Sequence, residues 1–166
     1  MSESKASDSQ EGDSQSLAVE GTAVAFGNGA LLLTGKSGSG KSDLALRLID
    51  AGARLIADDR VELVVREGKL QCRAPRDMPP GLRGRIEARG VGIIPVPAVD
   101  PGAVGPVLQW CIELVHGPIE RLPAAENRRF LGIDVPLLRL DPFEASTVAK
   151  LRLAAACGPG LIMGRE

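Results

Sequence analysis

Gly35-Lys36-Ser37-Gly38-Ser39-Gly40-Lys41-Ser42 decides how the rest of the chain is read. It matches G-x-x-x-x-G-K-[ST] at every fixed position. Before it, residues 30–34 (Ala-Leu-Leu-Leu-Thr) form an apolar run that reads as a buried strand. After it, residues 42–51 carry Leu44, Ala45, Leu48 and Ile49 at helical spacing, and Gly52 follows as a C-terminal glycine. In this context the glycines let backbone N–H groups converge on phosphate oxygens. The helix N-terminus adds about half a positive charge. Lys41 is placed to reach the β- and γ-phosphates, and the Ser42 hydroxyl to reach Mg²⁺. ATP and Mg²⁺ are therefore the expected ligands of residues 35–42. The competing reading is a chance Gly/Ser loop before a helix.

Such a loop needs an acid from a neighbouring strand. Residues 54–57 read as a short strand ending at Asp58-Asp59. Adjacent carboxylates on an extended chain face opposite sides. One is then free to hold Mg²⁺ through water while the other takes a proton from an attacking hydroxyl; a plain Asp-Asp turn is the alternative. A third feature is Ile86-Glu87-Ala88-Arg89-Gly90-Val91-Gly92-Ile93-Ile94. Glu87 and Arg89 share a strand face, and the glycines suggest a bulge or a close backbone approach. Taken alone, this could equally be an ion pair on an exposed strand.

Outward from these pieces, residues 19–26 read as a strand with a turn at Gly27-Asn28-Gly29. Residues 61–66 and 69–73 read as a hairpin about Glu67-Gly68. Ten of the twelve prolines lie between Pro75 and Pro136, which favours short strands at 85–89, 91–94, 107–115 and 135–140 over helices. A helix is expected over 142–156, with Asp141 as its cap, Pro142 in its first turn, and Val148, Leu151 and Ala155 on one face. The expected fold is one α/β domain over residues 17–166, a P-loop nucleotide-binding domain with a mixed sheet. Residues 1–16 hold six serines, and Glu3, Asp8, Glu11 and Asp13 against Lys5 give −4 + 1 = −3. Such a segment is expected to be a disordered tail.

Composition narrows the function. The 166 residues contain only four aromatics, Phe26, Trp110, Phe130 and Phe143, and carry a net charge of −1. Neither stacking platforms nor a basic footprint for nucleic acid is present. So few rings also make an aromatic sandwich for a base hard to build, so weak discrimination among nucleotides is expected. No apolar run reaches membrane-spanning length, and no signal peptide is visible, so a cytoplasmic location is expected and a membrane partner is not. Cys72, Cys111 and Cys157 are odd in number and widely spaced, which suggests buried thiols rather than a zinc or disulfide framework. The single histidine, His116, cannot make a metal cluster.

Three segments in this order, LTGKSGSGKSDLALRL (33–48), RLIADDRVE (54–62) and IEARGVGII (86–94), resemble the catalytic domain of the HPr kinase/phosphorylase family. The likeness runs over about residues 19–156. It implies an HPr kinase-like α/β fold and an ATP-dependent serine kinase whose acceptor is an HPr-like phosphocarrier of a phosphotransferase system. It also implies Lys41 and Ser42 at the phosphates and metal, Asp58 as the base that deprotonates the acceptor serine, and Asp59 and Glu87 near the metal. Arg121, in Glu120-Arg121-Leu122, matches an arginine near the phosphoryl group. The family forms hexamers, and full-length members carry a separate N-terminal domain for which 166 residues leave no room, so the chain resembles the short proteobacterial forms. Two positions depart from the pattern: Glu20 stands where most members have a histidine, and Pro95 where they have an acidic residue or asparagine. Glutamate does not gate protons near neutral pH as histidine does, so the kinase half of the activity is expected and the phosphorylase half is left open. The rival expectations are a nucleotide-binding regulator with little turnover and a P-loop kinase of another substrate.

Overall fold

The computed structural model describes residues 15–100 and 105–162. In chain order the strands and helices are β1 (Ser16–Glu20), β2 (Thr22–Phe26), β3 (Gly29–Thr34), α1 (Lys41–Asp50), β4 (Arg54–Ala57), β5 (Arg60–Arg66), β6 (Lys69–Arg73), β7 (Arg85–Ala88), β8 (Gly92–Pro95), β9 (Leu108–Leu114), β10 (Glu126–Phe130), β11 (Ile133–Leu140) and α2 (Thr147–Cys157). Six strands form one mixed sheet in the order β10-β11-β9-β3-β2-β4, with β3, β9 and β11 mutually parallel and the other pairs antiparallel. A three-stranded sheet, β1-β5-β6, and the β7–β8 hairpin complete it.

The apolar run before the loop is β3, and its composition follows from its place. Leu31 and Leu33 enter the core shared with α1 and α2, while Ala30 and Leu32 enter a second core shared with β5 and β6. A strand covered on both faces has no polar side to show, so it reads as continuous hydrophobic sequence. Leu31, Leu32 and Leu33 are fully buried, each worth about 1.5–3 kcal/mol of burial. The layers are thus helices, large sheet, small sheet. Trp110 Nε1, buried on β9, donates to Ala154 O at 3.2 Å and ties α2 to the sheet.

Several expectations need correction. The strand read over 19–26 is two strands, broken at Gly21, where the chain passes from the small sheet to the large one. A Cβ there would sit 2.6 Å from Leu33 O, so only glycine fits the crossing. Ser16, placed with the tail, pairs with Val64 in β1; residues 1–14 lie outside the described residues. The helix expected from Pro142 starts at Thr147 with Ser146 at its N-cap. Asp141 instead caps a turn, its Oδ1 accepting from Phe143 N at 2.9 Å. Strand β10 was not expected, because Glu126-Asn127-Arg128-Arg129-Phe130 has no apolar alternation. It is the edge of the large sheet, where charge replaces hydrophobicity.

Candidate active site

The glycine-rich loop leaves the C-terminal end of β3, the central strand, and feeds α1. Gly40 caps the helix at φ +98°, a left-handed conformation that favours glycine, and its carbonyl accepts from Leu44 N at 2.9 Å. A Cβ on Gly35 would lie 2.6 Å from Ser39 Oγ. That hydroxyl is buried with no hydrogen-bond partner among the described residues. Lys41 Nζ donates to Gly35 O and Lys36 O, both at 2.9 Å, so the ammonium lies across the loop.

The Asp58-Asp59 pair closes the other side. Asp59 has φ +71°, so the pair makes a tight turn between β4 and β5 and not the extended chain expected to send the carboxylates to opposite faces. Arg60 N donates to Asp58 O at 2.9 Å and Gly21 N donates to Asp59 O at 3.0 Å, fixing the turn to the Gly21 crossing. Asp58 is half-buried and Asp59 exposed. Asp58 Oδ1 accepts from Ser42 Oγ at 2.9 Å and from Thr22 Oγ1 at 2.8 Å. Thr22 is fully buried on β2. Asp58 Oδ2 has no hydrogen-bond donor among the described residues.

Loop and turn open into a cleft of about 600 Å³ lined by Glu20, Gly35, Ser37, Gly38, Gly40, Lys41, Ser42, Asp43, Leu46, Asp59, Glu87, Ala88, Arg89, Val91 and Phe143. Glu87 and Arg89 come from β7 and the turn after it. Of the residues expected from sequence, Lys41, Ser42, Asp59 and Glu87 thus share one cleft, and Asp58 lies against it through Ser42. Lys36 contributes its carbonyl to Lys41 and does not line the cleft. Arg121 is not brought in. It is exposed in the connection between β9 and β10 and does not line the cleft, whose guanidinium is Arg89. Thr22 and Phe143 had no local signal in the sequence.

The donor set suits a nucleoside triphosphate with a hard cation. Four carboxylates, Glu20, Asp43, Asp59 and Glu87, and two cations, Lys41 and Arg89, are among the lining residues. No group of three or more His, Cys, Asp or Glu is poised to hold a metal by itself among the described residues. Mg²⁺ usually takes one or two carboxylates and completes its octahedron with water and substrate phosphates, and Asp59 and Glu87 line the cleft where such carboxylates could be supplied.

The chain matches the family model for the HPr Serine kinase C-terminal domain over residues 14–157. HPr kinase/phosphorylase of Clostridium tetani is 48% identical over 137 residues, covering 76% of this chain and 43% of that protein. The Lactobacillus acidophilus protein of the same name is 35% identical over 130 residues, covering 74% and 39%. The chain therefore spans about two fifths of the length of these curated relatives. Among solved structures, the Hpr(Ser) kinase/phosphatase from Coxiella burnetii superposes with a TM-score of 0.66 at 26% identity, covering 84% of this chain and 87% of that one. With the family model matched from the first described strand to the last helix, around the cleft that holds the phosphate loop and the acidic turn, the chain belongs to the HPr serine kinase C-terminal domain family.

Proposed function

We propose that the chain transfers the γ-phosphoryl group of ATP to a serine hydroxyl of an HPr-like phosphocarrier protein. The observation that carries this reading is the pair of hydroxyl hydrogen bonds from Ser42 and Thr22 to one oxygen of Asp58, directly beside the phosphate loop. They tie the acid to the phosphate site and leave its second oxygen available. The acceptor Oγ attacks the γ-phosphorus in line, the bond to the β–γ bridging oxygen breaks, ADP leaves, and the hydroxyl proton passes to Asp58. Loop N–H groups and Lys41 hold the phosphates, so most of the acceleration comes from positioning and charge neutralisation. Ser42, Asp59 and Glu87 are the proposed metal side. When bound there, Mg²⁺ neutralises charge on the β- and γ-phosphates.

The Ser42–Asp58 hydrogen bond also favours a second assignment. A carboxylate bonded to the loop serine fits a metal-side role, which would leave the exposed Asp59 as the proton acceptor. Phosphoryl transfer from labelled ATP to HPr-like proteins of the source organism, read by mass spectrometry for a modified serine, tests both. Lys41→Ala is expected to abolish nucleotide-dependent labelling. Asp58→Ala is expected to keep ATP affinity and lose transfer. Near-normal transfer by Asp58→Ala would remove Asp58 as the base, and loss of transfer in both variants, with Mg²⁺-dependent ATP affinity weakened only in Asp58→Ala, would exchange the two roles. ATP binding without transfer to any carrier would favour the regulator over the kinase.

A further inference from the structure

Three of the four rings in the chain are withdrawn from solvent: Trp110 and Phe26 are buried and Phe130 is partly covered. Phe143 is 62% exposed, and it stands at the rim of the phosphate loop. A large apolar side chain left open at a polar cleft asks for an occupant. Its ring edge meets the loop, Cζ lying 3.1 Å from where a Cβ of Gly40 would be. The imidazole of His116 stacks on it with centroids 5.6 Å apart and planes 11° from parallel. His116 lies offset along one side of the ring and Gly40 meets its edge, and most of the Phe143 side chain stays open to the cleft.

The ring is also held in place. Phe143 N donates to Asp141 Oδ1 at 2.9 Å, Arg47 of α1 donates to Pro142 O, and Thr147 Oγ1 donates to Asp141 O at 2.5 Å. His116 follows β9 and Phe143 follows β11, two adjacent parallel strands, and Val115 N donates to Leu140 O at 3.0 Å just before the two rings. The platform is thereby built on the same sheet end and the same helix as the phosphate site.

We infer that Phe143, backed by His116, is the platform on which the base of the bound nucleotide stacks. This rests on the phosphate-site reading above and adds the handle for the base. It is one-sided stacking rather than a sandwich, and no hydrogen-bonding code accompanies it. Every base offers a π-face, so such a platform binds ATP and GTP alike and leaves the phosphates to set the orientation.

The test compares a ligand with a base and one without. Affinities for ATP and for inorganic tripolyphosphate, each with Mg²⁺, are measured by calorimetry on the wild-type chain, Phe143→Ala and Phe143→Trp. Stacking on one aromatic side chain predicts that Phe143→Ala weakens ATP by about 5- to 150-fold. Phe143→Trp is expected to keep it, and tripolyphosphate is expected to stay within about twofold throughout. An unchanged ATP affinity in Phe143→Ala overturns the platform alone. So does an equal loss of tripolyphosphate, which makes the ring only a prop for the loop. A wild-type chain that binds neither ligand overturns the phosphate-site reading, and the platform with it.

Discussion

Replacing Thr22 with valine isolates one of the two hydrogen bonds that align Asp58. Thr22 is fully buried on β2, and its Oγ1 donates to Asp58 Oδ1 at 2.8 Å. Valine keeps the β-branched shape and the strand preference and removes the donor. A hydrogen bond to a charged group contributes about 1.5–3 kcal/mol. If all of it acts in the transfer step, the rate falls by about 10- to 150-fold. Ser42 still holds the same oxygen at 2.9 Å, so a loss near tenfold is expected. Thr22 does not line the cleft, so ATP affinity stays within about twofold of wild type. The assay is the initial rate of labelled phosphoryl transfer, with ATP affinity and thermal midpoint measured on the same preparations. A wild-type rate in Thr22→Val would show that this hydrogen bond does not align Asp58 for transfer. A parallel collapse of ATP affinity would show that the residue supports the fold instead. Either result removes Thr22 as a positioning residue.

Two further outcomes follow from groups outside the cleft. Glu62 and Arg73 face each other across β5 and β6 with contacts of 2.9 and 3.0 Å. The Arg73 guanidinium holds the Glu62 carboxyl below the usual carboxylate range, against the upward push of burial. A carboxyl lowered in the folded state adds stability above its unfolded value of about 4.5 and loses it as pH falls through the folded value. Glu62→Gln should therefore flatten the decline of the denaturant midpoint below about pH 4.5; an unaltered slope counts against the pair. Burial, with a smaller push from Cys111, raises the Cys72 thiol to about 12. At pH 8 a thiol reagent should modify exposed Cys157 first, and Cys72 and Cys111 only on unfolding; rapid labelling of all three would contradict the buried placement.

The parts of the fold that were legible in sequence are those where one local rule decides. β3 is apolar throughout because both its faces are covered, and α1 shows its buried stripe because its other face meets solvent. β10 was hidden because an edge strand needs partners and not a hydrophobic pattern, and its partner β11 is set by tertiary packing. Asp141 and Pro142 suit a helix start and a turn equally well, and here they form the turn, so α2 begins later than their spacing predicts. At the site, the loop and the Asp-Asp pair were visible as motifs. The left-handed conformation at Asp59 was not, and it is what puts the two acids in a turn. Thr22 and Phe143 reach the site through space, from β2 and from beyond β11, so no spacing along the chain announces them. Arg121 and Arg89 differ in the same way, since only the packing of the β7–β8 hairpin decides which guanidinium reaches the cleft.

The Gly21 crossing divides responsibility for the site between two cores. The phosphate loop hangs from β3 and α1, rooted on the helix side. The Asp58-Asp59 turn is clamped to Gly21 and joins β4 of the large sheet to β5 of the small one, so it depends on both. Cooperative units of a protein open at different free energies, so opening of the small sheet reaches the acid turn before it reaches the phosphate loop. Under the proposed function, damage confined to the small sheet is expected to cost phosphoryl transfer before it costs nucleotide binding.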